Sequence, residues 1–239
     1  MPADELLQRL RRFNTDYFPQ YQARFRELVA EGQHPSTLFI GCSDSRVVPY
    51  LLTGAGPGEL FLVRNVAAFV PPYDGMLQER GPAGMAAAGQ PQWVGLHGTA
   101  AAIEFAVLSL DVRHIIVCGH SHCGGIRALY DEPRADAPNL GAWLALGREA
   151  MLPMGPCAEV LRRTEERSVV LQLERLMDYP MVRAQVERGR LSLHGWHYVL
   201  EDGQVNVFDV HSGRFVSAAL AGHAGQGPYA LPPAGQDLR

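Results

Sequence analysis

The side chains best suited to chemistry in this chain lie in two short motifs. The first motif, Cys42–Arg46, reads CSDSR, and the second, His120–Cys123, reads HSHC. Two thiols and one imidazole, from Cys42, Cys123 and His120, make a ligand set that zinc accepts. Structural zinc sites are usually closed by four protein ligands. Three strong donors therefore indicate a catalytic ion with one open position.

An acid and a base follow the first thiol at close spacing. Asp44 and Arg46 are two residues apart, which allows a charge-assisted and even a bidentate bond between them. In one possible state Arg46 holds Asp44 off the metal and a water takes the fourth position. In the other state Asp44 itself binds the metal and closes the site. An ordinary surface ion pair fits less well, because Asp44 is so near Cys42.

Both motifs follow apolar runs that are typical of buried parallel strands. Residues Ser36–Gly41 and His114–Gly119 form these runs, and Cys42 and His120 come at their C-terminal ends. The pair Gly124–Gly125 then begins a helix. In open α/β sheets, ligands bind at the carboxyl ends of the strands. We therefore expect the two motifs to meet in space.

Apolar periodicity and turn signals predict the remaining elements. They are helices over Asp4–Glu31 (divided at Pro19), from Thr99 onward and over Ala158–Tyr179, a strand over Glu59–Arg64, and a hairpin of Leu191–Leu200 with Gln204–Val210. The helix from Thr99 is expected to be buried, with Thr99 as its N-cap. Residues 76–98 and 218–239, rich in glycine, alanine and proline, are predicted to form an extended loop and a loosely ordered tail.

Length and composition favour one globular domain over residues 1–239. The chain has 47% hydrophobic residues and a formal net charge of -4, and no basic stripe suggests nucleic acid as a partner. No apolar run predicts a membrane span or a signal peptide, so a cytoplasmic location is expected. Four separated cysteines predict metal binding or catalysis rather than a disulfide scaffold. A redox protein is disfavoured because no Cys-x-x-Cys occurs.

The two motifs and the segments around them closely resemble the β-class carbonic anhydrases. The matching segments, which extend the resemblance from about Gln33 to about Val210, are Pro57–Phe61, Val63–Ala67, Gly98–Val107, Gly119–Gly125, Tyr179–Pro180 and Leu193–Trp196. The resemblance implies an α/β fold with a mixed, mainly parallel β-sheet flanked by helices. It also implies that the N-terminal helices, within residues 1–34, pack on a partner subunit. The expected assembly is a homodimer or a higher even homo-oligomer.

The resemblance further implies a carbonic anhydrase activity that depends on Zn2+. This activity is the reversible hydration of CO2 to bicarbonate and a proton, by attack of zinc-bound hydroxide on CO2. By position, Cys42, His120 and Cys123 are the implied metal ligands. Asp44 and Arg46 are the implied catalytic residues.

Five further residues are implied in substrate binding. Gln33 matches a glutamine of the plant-type subgroup, whose amide reaches the substrate from across the subunit interface. Phe61 and Val66 match positions that line the apolar CO2 pocket, and Phe105 stands where many relatives have tyrosine. The backbone N–H of Gly124, at a helix N-terminus, suits an anion.

Several readings stay open beside the leading one. An inhibitory bicarbonate pocket known in another subgroup needs a tryptophan where this chain has Phe39, although Arg64 and Tyr198 align with its other members. We therefore favour the subgroup without inhibition. The long 76–98 loop keeps a CS2 or COS hydrolase possible on the same zinc site. A catalytically silent zinc-binding homologue is the third reading.

Three other side chains receive expectations of their own. His122 is expected to face solvent or to support a ligand, with proton transfer as an alternative role. Cys118 and Cys157 are expected to be buried and inert, because a free cysteine behaves as a small hydrophobe.

Overall fold

A six-stranded sheet forms the centre of the computed structural model, which describes residues 3–73 and 97–219. The strands are β1 (Thr37–Cys42), β2 (Leu60–Asn65), β3 (His114–His120), β4 (Ser192–Tyr198), β5 (Val205–Asp209) and β6 (Arg214–Ser217). Their order across the sheet is β2-β1-β3-β4-β5-β6. The first four pair in parallel and the last two pair antiparallel. The predicted mixed, mainly parallel sheet is thus confirmed.

The strands predicted from apolar runs lie where they were expected. β1 is buried along its whole length and β3 is buried through its centre. Such burial on both faces is the usual condition of a parallel strand between layers of helices. The predicted hairpin is also present as β4 and β5. It is followed by β6, a short edge strand that the prediction missed.

Helices surround this sheet in chain order. They are α1 (Ala3–Arg12), α2 (Phe18–Glu31), α3 (Pro49–Thr53), α4 (Gly98–Leu108), α5 (Gly124–Arg127), α6 (Pro138–Ala145), α7 (Ala158–Asp178) and α8 (Pro180–Glu187). The main hydrophobic core combines side chains of β1, β3 and β4 with α4, α7 and α8. α7 is the longest of these helices and packs against both β3 and β4.

The N-terminal helices leave an apolar surface open in the single chain. Pro19 lies in the first turn of α2, where a proline is tolerated, and contrary to the prediction it does not interrupt the helical run. The connection between α1 and α2 stays helical as a π-type stretch, Phe13–Tyr17. The exposed large apolar side chains here are Leu6, Leu7, Leu10, Phe13, Tyr17, Tyr21, Phe25 and Val29. An exposed apolar set of this size is larger than scattered surface side chains would give and is typical of an interaction surface.

The helix predicted from Thr99 begins differently from the expectation. α4 starts at Gly98, and Thr99 is buried in its first turn. The Thr99 hydroxyl accepts a hydrogen bond from Asn65 Nδ2 at 3.1 Å, so the predicted N-cap role is wrong. The expected burial of the helix holds for one face only, because Phe105 and Leu108 are 46% and 65% exposed.

The predicted loop and tail fall mostly outside the part of the chain that the structure describes. Residues 76–96 and 220–239, which were expected to form most of the loop and the tail, lie outside the described residues. Within the described residues, no helix has the length and apolar character needed to cross a bilayer.

Close packing of α7 against β4 leads to a stability prediction. A Cβ on Gly195 would lie 2.9 Å from Leu173 Cδ1 and 3.0 Å from Val169 Cγ1. We expect Gly195→Ala to lower the free energy of unfolding by about 1–3 kcal/mol, because the core there is already full. The measurement is equilibrium unfolding in urea.

Gly141 provides the matched control for this change. It lies inside α6, and a Cβ there would meet nothing within 4 Å. Gly141→Ala should therefore raise the free energy of unfolding by roughly 0.5–1 kcal/mol through helix propensity. Equal effects of the two substitutions would contradict the packing argument.

Candidate metal centre

The two motifs meet because β1 and β3 are parallel neighbours. Gly41 pairs with Cys118 in their register, so both strands reach the same edge of the sheet. Cys42 is the last residue of β1 and His120 the last of β3. The turn after β3 passes through His122, whose φ of 56° is left-handed, and then places Cys123 in front of α5. Three potential ligands thus come from two adjacent strand ends.

The geometry of this cluster fits a zinc ion. The ligand atoms of Cys42, His120 and Cys123 all lie within 4.8 Å of one another, and all three residues are buried. The two sulfurs are 4.0 Å apart. Two sulfurs on one tetrahedral zinc, each about 2.3 Å from the ion, would be about 3.8 Å apart.

One imidazole nitrogen in the cluster has no protein partner. His120 Nδ1 lies 2.9 Å from the carbonyl oxygen of Ser121, so this nitrogen donates its hydrogen there. The other nitrogen, Nε2, therefore carries the lone pair. It is buried and has no hydrogen-bond partner among the described residues. A lone pair held in this way towards two sulfurs is what a metal ligand requires.

One of the two thiols, Cys42, is already arranged to lose its proton. A hydrogen bond from Cys123 lowers the pKa of Cys42, and the same interaction raises the pKa of Cys123. The backbone N–H of Asp44 also points to Cys42 Sγ, at 3.4 Å. Zinc binds thiolates rather than thiols, so a metal would replace the proton that the sulfurs share.

Asp44 borders the cluster while Arg46 holds both of its oxygens. Arg46 Nε lies 2.9 Å from Oδ1 and Nη2 lies 2.7 Å from Oδ2. This pairing keeps the pKa of Asp44 well below its usual range. Asp44 Oδ2 is 3.8 Å from His120 Nε2. The arrangement corresponds to the first of the two predicted states, with Asp44 held by arginine.

Three more hydrogen bonds fix the backbone around this ion pair. Arg46 Nη2 also donates to the carbonyl oxygen of His122, at 3.0 Å. Arg64, on β2, donates to the carbonyl oxygens of Cys42 and Asp44, at 3.0 and 2.7 Å. Sequence reasoning compared Arg64 only with an inhibitory pocket and missed this role. An arginine within an apolar strand was the available signal.

The predicted substrate residues divide into two groups. Val66 follows β2 and is 37% exposed, and its neighbour Ala67 packs in the same small cluster as Cys42 and Cys123. Phe61 and Phe105 lie together, with their ring centroids 5.7 Å apart. The register of β1 and β2 sets Phe61 beside Leu38, four residues before Cys42. Val66 thus adjoins the cluster, whereas Phe61 and Phe105 lie away from the metal ligands of their own chain, and their pocket role stays a prediction.

Gln33 and Gly124 are less directly placed. Gln33 is exposed on the loop between α2 and β1, and no hydrogen bond among the described residues joins it to the cluster. Gly124 is exposed and directly follows Cys123. It begins a helix of only four residues, so the field of a long helix does not support anion binding there. Both roles stay predictions.

His122 faces solvent, as expected, and pairs with an acid that sequence reasoning missed. Its Nε2 contacts Glu201 Oε1, and Ser121 Oγ donates to Glu201 Oε2 at 2.6 Å. The bond from Ser121 is the main cause that lowers the pKa of Glu201 to about 2. Glu201 was assigned only to the turn after β4, where an acidic residue carries no special signal.

The two cysteines outside the cluster differ from each other. Cys118 is buried, and burial raises the pKa of its thiol to about 12, so the expectation of an inert thiol fits it. Cys157 is exposed, so its predicted burial is wrong. It lies just before α7, where the chain enters the helix from the surface.

Comparison with known proteins agrees with this geometry. A family model described as carbonic anhydrase matches residues 37–205. A carbonic anhydrase of Pseudomonas aeruginosa is 40% identical over 87% of this chain and 88% of its own. One of Synechococcus elongatus is 36% identical over 84% of this chain and 70% of its own.

Solved structures give the same result. The β-carbonic anhydrase CcaA has a TM-score of 0.76 and 33% identity, covering 90% of this chain and 91% of its own. A tetrameric β-carbonic anhydrase of Sordaria macrospora has a TM-score of 0.68 and 28% identity, covering 89% and 98%. With the family model and the relatives in agreement, the chain belongs to the carbonic anhydrases, in their β class.

Proposed function

We propose that this enzyme hydrates CO2 reversibly to bicarbonate and a proton, at a zinc ion held by Cys42, His120 and Cys123. The observation that carries the proposal is the buried, unpartnered His120 Nε2 beside two sulfurs 4.0 Å apart. When bound there, zinc supplies Lewis acidity that lowers the pKa of a coordinated water to roughly 7. The three side chains leave one side of the cluster for water and substrate.

Asp44 is proposed to orient the reacting water. Its Oδ2 lies 3.8 Å from His120 Nε2, close enough to the open side to accept a hydrogen bond from a water that enters there. Because Arg46 keeps the pKa of Asp44 low, the carboxylate accepts this bond and does not donate one. Arg46 also fixes both oxygens, so the water meets an acceptor that is already in place.

Three apolar side chains are proposed to hold CO2, as the resemblance implies. Val66, Phe61 and Phe105 offer an apolar surface to CO2, which has no net dipole. These side chains form no hydrogen bonds and therefore compete little for the reacting water. Gln33 is proposed to donate its amide hydrogen to bicarbonate from the partner subunit, and the N–H of Gly124 is kept as a second donor.

The exposed apolar side chains of α1 and α2 support a homodimer or a higher even homo-oligomer. The predicted cytoplasmic location stays a prediction. No contact among the described residues favours CS2 or COS hydrolysis, since most of the loop that suggested it lies outside them.

Zinc content tests the ligand set. We expect the zinc content to fall from about one ion per chain in the wild type to less than about a tenth of an ion in Cys123→Ala, because the two remaining donors cannot complete the site. Cys118→Ala is the matched control, since Cys118 is equally buried but lies outside the cluster. Retention of a full zinc equivalent by Cys123→Ala would contradict the assignment.

Stopped-flow CO2 hydration on the zinc-loaded wild type tests the activity itself. The expected result is hydration near pH 7 that disappears after removal of zinc with a chelator and returns when zinc is restored. A zinc-loaded protein that does not hydrate CO2 between pH 6.5 and about 9 would overturn the proposed function.

Asp44→Asn tests the orienting role. We expect it to keep its zinc and to lose at least about a hundredfold in kcat/KM, the range assigned to a positioned acid–base group. Asp136→Asn is the control, because Arg134 binds Asp136 by the same two-bond pattern at an exposed place. Similar activities of the two variants would remove Asp44 from the mechanism.

Gln33→Ala tests the predicted amide contact. Loss of one hydrogen bond to a charged substrate should lower kcat/KM roughly tenfold or more, with zinc content unchanged. Gln22→Ala, on the exposed surface of α2, provides the control. Wild-type kinetics in Gln33→Ala would exclude Gln33 from the site.

A further inference from the structure

A carboxylate lies buried behind the metal centre without any role in the reaction described above. Glu165 belongs to α7 and is 4% exposed. Its Oε1 accepts a hydrogen bond from the backbone N–H of Cys123 at 3.2 Å. The amide that it holds is therefore that of a proposed zinc ligand.

A second buried group holds the other oxygen of this carboxylate. His197, on β4, is fully buried, and its Nε2 lies 3.2 Å from Glu165 Oε2. His197 Nδ1 is buried without a partner among the described residues. A hydrogen on Nδ1 would be left unpaired, so the geometry places it on Nε2, which donates to Glu165. Arg162 Nε approaches the same oxygen at 3.9 Å.

Two glycines allow α7, the helix that carries Glu165, to pack closely on the sheet. A Cβ on Gly119 would lie 2.7 Å from Val169 Cγ2, and one on Gly195 would lie 3.0 Å from Val169 Cγ1. Gly119 pairs with His197 in the register of β3 and β4. The absence of these side chains brings α7 onto the sheet at the point where Glu165 and His197 meet.

Burial of a carboxylate is unfavourable unless donors compensate it. Here the donors are the backbone amide of Cys123 and the buried imidazole of His197. Their hydrogen bonds to Glu165 join α7 and β4 to the turn that carries Cys123. Because Cys123 Sγ is attached to the residue whose amide is fixed, a shift of that amide would move the sulfur relative to Cys42 and His120.

We propose that Glu165 is a positioning residue of the metal centre, oriented by His197, that fixes the Cys123 amide and thereby the place of the Cys123 sulfur. The inference rests on the proposed zinc site. It adds the residues that keep this site in shape from behind.

The first test is the rate at which the zinc-loaded protein releases zinc to an excess of a coloured chelator. We expect Glu165→Leu to release zinc about 10–100 times faster than the wild type, the range seen when groups that support metal ligands are removed. Glu165→Gln should stay within about threefold, since its amide oxygen still accepts the Cys123 N–H, and its NH2 group can donate to His197 Nε2 once the imidazole carries its proton on Nδ1. Release from Glu165→Leu at the wild-type rate would overturn the proposal.

Thr164→Val separates positioning from general destabilisation. Thr164 is the neighbouring residue on α7 and is fully buried. Its hydroxyl bonds to Tyr130 and to the carbonyl oxygen of Val160, with no contact to Cys123. We expect this variant to lose stability and yet to release zinc at the wild-type rate. Fast release from Thr164→Val would show that any loss of buried polar contacts suffices and would overturn the specific role of Glu165.

A readout without metal addresses the hydrogen bond directly. In the metal-free protein, the amide of Cys123 should exchange with deuterium about tenfold or more faster in Glu165→Leu than in Glu165→Gln and Thr164→Val. Equal exchange in all three would contradict the inference.

His197→Leu tests whether the imidazole acts through the carboxylate, and it also carries the test if Glu165→Leu does not fold. Its zinc release should be faster than that of the wild type. Where both single variants fold, the double variant should release zinc no faster than Glu165→Leu, because the two residues form one unit. Wild-type release from His197→Leu, or additive effects in the double variant, would remove His197 from the proposal. These outcomes differ from failure of the proposed function, in which the wild type binds no zinc or Cys123→Ala retains it.

Discussion

The parallel pairing of β1 with β3 is the constraint on which the centre depends. In this register Gly41 lies beside Cys118, so Cys42 and His120 emerge from neighbouring strands at one edge of the sheet. Side chains alternate between the two faces of a strand, and a slip of one residue would reverse the face of every side chain. Such a slip would separate the two ligands. The buried apolar residues of both strands therefore fix the cluster as well as the core.

The balance around Asp44 depends on partial burial. Its side chain is 17% exposed, whereas that of Arg46 is 51% exposed. Solvent screens the charge of Arg46. The two hydrogen bonds from Arg46 therefore fix the orientation of the Asp44 carboxylate as much by their geometry as by charge attraction. The pair of Arg134 and Asp136 has the same two-bond pattern, but both side chains are about 70% exposed. Only Asp44 combines this pattern with a place beside the buried cluster.

Sequence reasoning found the parts of the centre that are local in the chain. The strand ends, the turn after β3 and the ion pair of Asp44 with Arg46 follow from short motifs, and the resemblance to a known family supplied their roles. The residues that it missed act across long stretches of chain. Glu165 and His197 come from elements that a local pattern does not connect, and Glu201 from a turn with an ordinary composition. The N-cap role of Thr99 was predicted wrongly, because α4 begins after His97 and the Thr99 hydroxyl accepts a hydrogen bond from Asn65 at the end of β2.

The exposed apolar side chains add an argument about assembly. Phe105 and Leu108 on α4, together with Val66, are apolar and partly or largely exposed, as are the apolar side chains of α1 and α2. Gln33, at the end of α2, contacts no residue of the cluster within its own chain by hydrogen bonding. A second chain that covered these apolar surfaces would exclude water from them. Its own α2 would bring along the loop that carries Gln33. The proposed subunit interface would then form by burial of these apolar surfaces, while the three metal-ligand candidates, Asp44 and Glu165 come together within one chain.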